Sequence, residues 1–135
     1  MEAFASIELI RTEHLAGAPY AYAAVARGVT HLIFTAGACP LDSAGCIVSV
    51  GDVAGQAEQV MVNLEVALNA AGTSFDDVVK TTVYVASQRP EDLRLAWEVV
   101  KRHFGDHDAP STLLGVAVLG YRNQLVEVEA IAAQR

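Results

Sequence analysis

Cysteine, aromatic side chains, basic charge and long apolar runs are all scarce in this chain of 135 residues. Two cysteines, Cys39 and Cys46, are too few for a disulfide scaffold and read as free thiols of a reducing cytoplasm. Nine Lys and Arg stand against sixteen Asp and Glu, a net charge of −7, and no basic run exceeds Lys101-Arg102. Binding to nucleic acid rests on neutralising phosphates, so this balance argues against nucleic acid as a partner, and against an anionic membrane surface. No apolar stretch approaches the ~20 residues of a membrane span. The opening Met1-Glu2-Ala3-Phe4 lacks the basic segment and apolar run of a secretory signal. Phosphate-loop, dinucleotide and nucleophile-elbow motifs are missing as well.

What is present is apolar and small. Hydrophobic residues make up 53% of the chain, above the ~45–50% of ordinary domains, which excludes intrinsic disorder. The length fits one domain over residues 1–135, burying roughly 68% of its unfolded surface. An apolar excess in so small a domain points to a further surface hidden by self-association.

Alternating and β-branched stretches predict strands over 6–12, 20–27, 30–36, 77–86, 111–119 and 124–133, with a short extension over 46–50. Asp52 is placed to cap a helix ending at Gly72, whose stripe runs through Val53, Ala57, Val60, Met61, Leu64, Ala67, Leu68 and Ala71. Glu58 and Glu65 flank that stripe and read as solvated. Pro90-Glu91-Asp92 opens a second helix and Lys101-Arg102-His103 closes it before Gly105, in accord with the helix dipole. The order β-β-β-α-β-α-β-β predicts an α+β fold with two helices on one face of a mixed sheet. The other face needs cover, which copies of the chain packed sheet-inward would supply.

Few residues carry chemistry. Glu127 and Glu129 are two apart on the last strand, on one face and roughly 6.8 Å from each other. They form either an exposed acidic edge or a carboxylate at a cleft, holding a water or taking a proton. His103 and His107, with Asp106 and Asp108, have a superficial likeness to a metal cluster, but Gly105 breaks the helix between them; no metal site is expected. Cys39 would need a base to act as a nucleophile, and His31 lies eight residues earlier; Cys39 is read as a structural thiol. Trp97 and Phe104 read as packing residues, and Tyr20, fixed by Pro19, as a phenol at a loop edge.

Ala18-Pro19-Tyr20, the run from Leu32 to Asp42 (LIFTAGACPLD), the 56–72 helix, Phe75–Val85 and Val126–Ala132 occur in the order seen in one family. Together they resemble the RidA/YjgF reactive-intermediate deaminases over nearly the whole chain. The resemblance implies a chorismate-mutase-like fold and a cytoplasmic homotrimer with ligand clefts between subunits. It also implies hydrolysis of small enamines and imines to a 2-keto product and ammonia, without metal or organic cofactor. By the same resemblance Glu127 handles the attacking water, Tyr20 helps close the cleft, and backbone near Gly37 makes polar contacts.

The chain departs from that pattern where the family carries an arginine that grips the substrate carboxylate. Counting back from Glu127 places Ser111 or Thr112 there, and neither is cationic. A bidentate guanidinium–carboxylate contact is strong, and its loss, at roughly 1.5–3 kcal/mol, weakens binding of a 2-imino acid about tenfold to a hundredfold. Arg122 is the candidate for a substitute cation, in a turn the sequence does not place. Ala21-Tyr22 and Ala38 are further departures. Three readings follow: an imine hydrolase of altered specificity, a trimeric binding protein without turnover and, least favoured by the charge, an endoribonuclease.

Overall fold

A computed structural model describes residues 4–135. Strands β1 (Ser6–Ile10) and β2 (Ala23–Arg27) form an antiparallel ribbon of their own. A four-stranded mixed sheet follows, in the order β3-β6-β4-β5, from β3 (His31–Phe34), β4 (Val78–Val85), β5 (Ser111–Gly115) and β6 (Val126–Gln134). β6 runs antiparallel to β3 and β4, whereas β4 and β5 are parallel. A parallel pair requires a crossover, which α2 (Pro90–Phe104) provides. Gly28, at a φ of 64° that glycine adopts without strain, turns the chain from the ribbon into the sheet.

Helix α1 (Val53–Ala70) starts as its cap dictates, with Gly55 N donating to Asp52 Oδ1 at 3.0 Å. α2 opens with Pro90 at its first turn and closes at Gly105, whose φ is 62°. The core lies between the helices and one sheet face. Met61, Leu64 and Leu68 meet Val83, Val126, Val128 and Ala132, all fully buried.

Several expectations are corrected by packing. The strand expected over 111–119 stops at Gly115, because its partner β4 ends at Val85; Val116 N makes the last bond, to Val85 O, and Val118 is 79% exposed. Residues 46–50 add only a Leu41–Ile47 bridge, since the Asp42 carboxylate turns the chain by accepting from Ala44 N and Cys46 N. Asp77 belongs to a 3-10 turn, Phe75–Asp77, rather than to β4. On α1, Ala67 and Ala71 are exposed, and Gln56 is fully buried instead. Glu58 is half-buried, accepting from Arg102 and hydrogen-bonded to His103 Nε2 at 2.7 Å.

Among the described residues, the sheet face away from the helices bears exposed apolar side chains. Leu32 (58% exposed), Phe34 (67%) and Leu114 (41%) lie on it. Among the described residues no helix is long and apolar enough to cross a membrane.

Candidate functional site

Alternation along β6 sends Val126, Val128 and Ala130 into the core and turns Glu127 and Glu129 to the uncovered face. Their registers separate their neighbours: Glu127 pairs with Tyr84, and Glu129 with Thr82. Tyr84 donates its phenolic O–H to Glu129 Oε1 at 2.6 Å, the first cause of a phenol held above its ordinary range. Glu129 also lines a cavity of about 210 Å³ with Lys80, Thr82, Phe34 and Ile131.

Glu127 sits in a tighter setting. Ala38 bridges to Val128, N to O at 2.8 Å and back at 3.2 Å, which clamps residues 37–39 against β6. A Cβ placed on Gly37 would lie 2.8 Å from Glu127 Cγ and 2.5 Å from Cδ, so only glycine admits the carboxylate there. Glu127 Oε1 accepts from Gln124 Nε2 at 3.2 Å and from Cys39 Sγ at 3.3 Å. Burial first, and then the hydrogen bond and charge of Glu127, push the Cys39 thiol up to about 11. Asn63 Nδ2 donates to the Cys39 carbonyl at 2.8 Å and fixes the segment from α1.

The other expected contacts gather elsewhere. Tyr20, Ser111 and Thr112 line one cavity of about 470 Å³ with Pro19, Trp97 and Leu113. Tyr20 and Trp97 meet edge to face, ring centroids 6.1 Å apart, so Trp97 walls this cavity as well as packing. Ala21 N bonds to Asp108 O at 2.8 Å, and Arg11 pairs with the Asp108 side chain, which sets the path of the 19–21 segment. Ser111 Oγ accepts from Thr81 Oγ1 at 2.7 Å, and Thr112 Oγ1 accepts from Lys80 Nζ at 2.7 Å. Lys80 is thus a cation in contact with Thr112, one of the two positions where the resemblance expects an arginine; Arg122 is exposed and lines neither cavity.

Five expected residues therefore form two groups in one chain, Gly37 with Glu127 and Tyr20 with Ser111 and Thr112. Gln124 and Lys80 are not indicated as site residues by the sequence, and Trp97 is legible there as a packing residue but not as a cavity wall. A glutamine three residues before a strand glutamate gives no periodic signal, though a lysine one residue from Thr81 on a β-branched strand is a legible anomaly. His31 does not serve Cys39; its Nδ1 bonds to the neighbouring Thr30 hydroxyl at 2.9 Å. His103 meets Glu58 and His107 Nε2 meets Val78 O, so the two rings are engaged separately. No group of three or more His, Cys, Asp or Glu suited to a metal occurs among the described residues.

Residues 11–134 match the family model described as endoribonuclease L-PSP. A human 2-iminobutanoate/2-iminopropanoate deaminase is 35% identical over 86% of this chain and 80% of its own. A RutC family protein of Pyrococcus horikoshii is 34% identical over 76% of this chain and 79% of its own. A Rid-family protein of Yersinia pestis, YyfB, superposes with a TM-score of 0.86 at 26% identity, over 94% of this chain and 98% of that one. TdcF of Escherichia coli, solved with bound serine, gives a TM-score of 0.67 at 30% identity, over 95% and 99%.

Proposed function

This chain belongs to the RidA/YjgF family, and from that premise we propose that it hydrolyses small enamines and imines to a carbonyl product and ammonia, with altered substrate choice. The observation that carries the proposal is the Glu127 carboxylate. One oxygen is held by Gln124 and Cys39, and the other lies against Gly37 with no donor among the described residues.

The imine enters protonated by solvent, as its iminium; the second oxygen of Glu127 takes a proton from water as the water oxygen bonds to the iminium carbon and the C=N pair moves onto nitrogen as its lone pair. In the resulting carbinolamine, the proton on Glu127 passes to nitrogen. The C–N bond then breaks, its electron pair leaving with ammonia, and the carbonyl forms as the hydroxyl proton returns to solvent, which restores the proton taken up by the imine. An enamine first tautomerises to its imine. Tyr20, Ser111 and Thr112 are assigned to the substrate, and Gly37 to the space the carboxylate needs.

The assembly in this reading is a homotrimer with the cleft between copies. Its support is twofold. The uncovered sheet face exposes Leu32, Phe34 and Leu114, and the cavity lined by Tyr20, Ser111 and Thr112 does not include Glu127 or Gly37, as expected if a neighbouring copy completes the site. Free Cys39 and Cys46 suit a cytoplasmic setting.

Lining by hydroxyls in place of a guanidinium favours a neutral or smaller guest over a 2-imino acid. The same feature supports the second reading, a binding protein without turnover. The assay is 2-aminoacrylate generated in situ beside a neutral imine, following ammonia, with Glu127→Ala and Ser111→Arg. Slow turnover of the acid, improved by Ser111→Arg, and faster turnover of the neutral imine abolished by Glu127→Ala are expected. Turnover of neither substrate would leave the binding reading. Cleavage of RNA lost in Glu127→Ala would instead favour a ribonuclease, against the charge of −7.

A further inference from the structure

The two oxygens of Glu127 are not equivalent, and Cys39 is part of the reason. Gln124 is only 3% exposed and its amide is divided, with Nε2 donating to Val126 O at 3.1 Å as well as to Glu127 Oε1. Its own carbonyl accepts from Tyr121 N at 3.1 Å, which fixes which end of the amide faces Glu127. One N–H therefore reaches the carboxylate from that side. Cys39 approaches the same oxygen from the 37–39 segment, and its other neighbour is the Gly37 carbonyl at 3.4 Å. A carboxylate is the stronger acceptor of the two and the nearer.

From this geometry we infer that Cys39 is a positioning residue: its S–H holds Glu127 Oε1 so that Oε2 alone faces the reacting water over Gly37. A thiol pushed up to about 11 keeps its proton at neutral pH and serves as donor, not as nucleophile. The segment is built to keep it there. Ala38 is bonded to Val128 on one side of the thiol, and Asn63 holds the Cys39 and Leu41 carbonyls at 2.8 and 2.9 Å on the other. The catalytic consequence rests on the proposed function, whereas the contact itself is tested without any substrate.

The contact is read by alkylation with iodoacetamide at pH 8, mapped by mass spectrometry with exposed Cys46 as internal reference. A shift from 9.0 to about 11 lowers the thiolate fraction about 100-fold, and a more nucleophilic thiolate recovers about eightfold, so Cys39 reacts about tenfold slower than an ordinary thiol. Glu127→Gln removes the carboxylate's share, and the Cys39 rate rises about threefold, while Glu129→Gln leaves it unchanged. Equal rates in wild type and Glu127→Gln overturn the inference.

The positioning role is read by kinetics on the neutral imine. Cys39→Ala is expected to lower kcat about three- to tenfold with KM unchanged, and Cys39→Ser, which keeps a donor, to restore most of it. Equal loss in both variants, or loss expressed in KM, assigns the residue to packing and overturns the role. Absence of any turnover in the wild type overturns the proposed function itself, and alkylation then decides alone whether the thiol holds Glu127.

Discussion

Adding one methyl group at Gly37 tests the arrangement around Glu127 without removing any polar atom. The new Cβ would lie 2.5 Å from Glu127 Cδ and 2.8 Å from Cγ, against an optimal carbon–carbon separation of about 3.5–4.0 Å, so the side chain must retreat by about 1 Å. Gly37 is not in the left-handed region, so alanine carries no backbone penalty and gains about 0.4–1 kcal/mol from a less flexible unfolded chain. Against that gain stand the two hydrogen bonds on Oε1, each worth about 1.5–3 kcal/mol when intact and partly replaced by water at this half-buried site. A net loss of about 1–2 kcal/mol follows, a few degrees in Tm for a chain of this size. In activity the same 1 Å displacement costs on the order of 100-fold. Melting curves of wild type, Gly37→Ala, Glu127→Ala and the double variant separate the clash from other effects. In the Glu127→Ala background the added methyl should be neutral or stabilising. An equal cost in both backgrounds, within the ~0.3–0.5 kcal/mol expected of independent sites, would refute the reasoning.

Gln56→Leu removes a fully buried amide from its two partners, the carbonyl of exposed Asn123 at 2.9 Å and the half-buried Leu125 N–H at 2.7 Å, and should cost about 1–3 kcal/mol in a urea titration; no loss at all would count against it. Asp108 gives a pH signature. Burial pushes its carboxyl up, but the hydrogen bond from Arg11 and the charges of Lys101 and Arg11 outweigh that and hold it below the usual value. Its contribution is therefore present above the unfolded carboxylate range near pH 3.8 and lost as pH falls through the lower folded value. Tm of the wild type should fall more steeply than that of Asp108→Asn over that acid interval, and parallel curves would contradict the assignment.

Much of this architecture is legible residue by residue. Asp52 and Pro90 mark helix starts because capping and proline chemistry are local, and Val126, Val128, Ala130 and Ala132 mark a buried face because strand alternation is local too. The end of β5 is not legible, since it is set by where β4 runs out more than 25 residues earlier. Gln56 hides in plain view: it occupies the apolar stripe of α1 four residues before Val60, and a scan for hydrophobic period passes over an amide. For the site, the family pattern points to Glu127 and Gly37, but the thiol at Glu127 joins residues 88 apart in sequence, a meeting that no spacing reveals.

The ammonium of Lys80 has protons to give and no lone pair to offer. By donating to Thr112 it takes one of that oxygen's two lone pairs and turns the hydroxyl hydrogen toward an acceptor elsewhere. If the proposed function holds, Thr112 therefore meets a guest chiefly as a donor. An imine nitrogen or a carbonyl oxygen, each with a lone pair to spare, suits it better than another N–H, which must use the one lone pair that Lys80 leaves. The polarity of that spot is decided one residue away from the cavity wall, by a lysine that need never touch the guest.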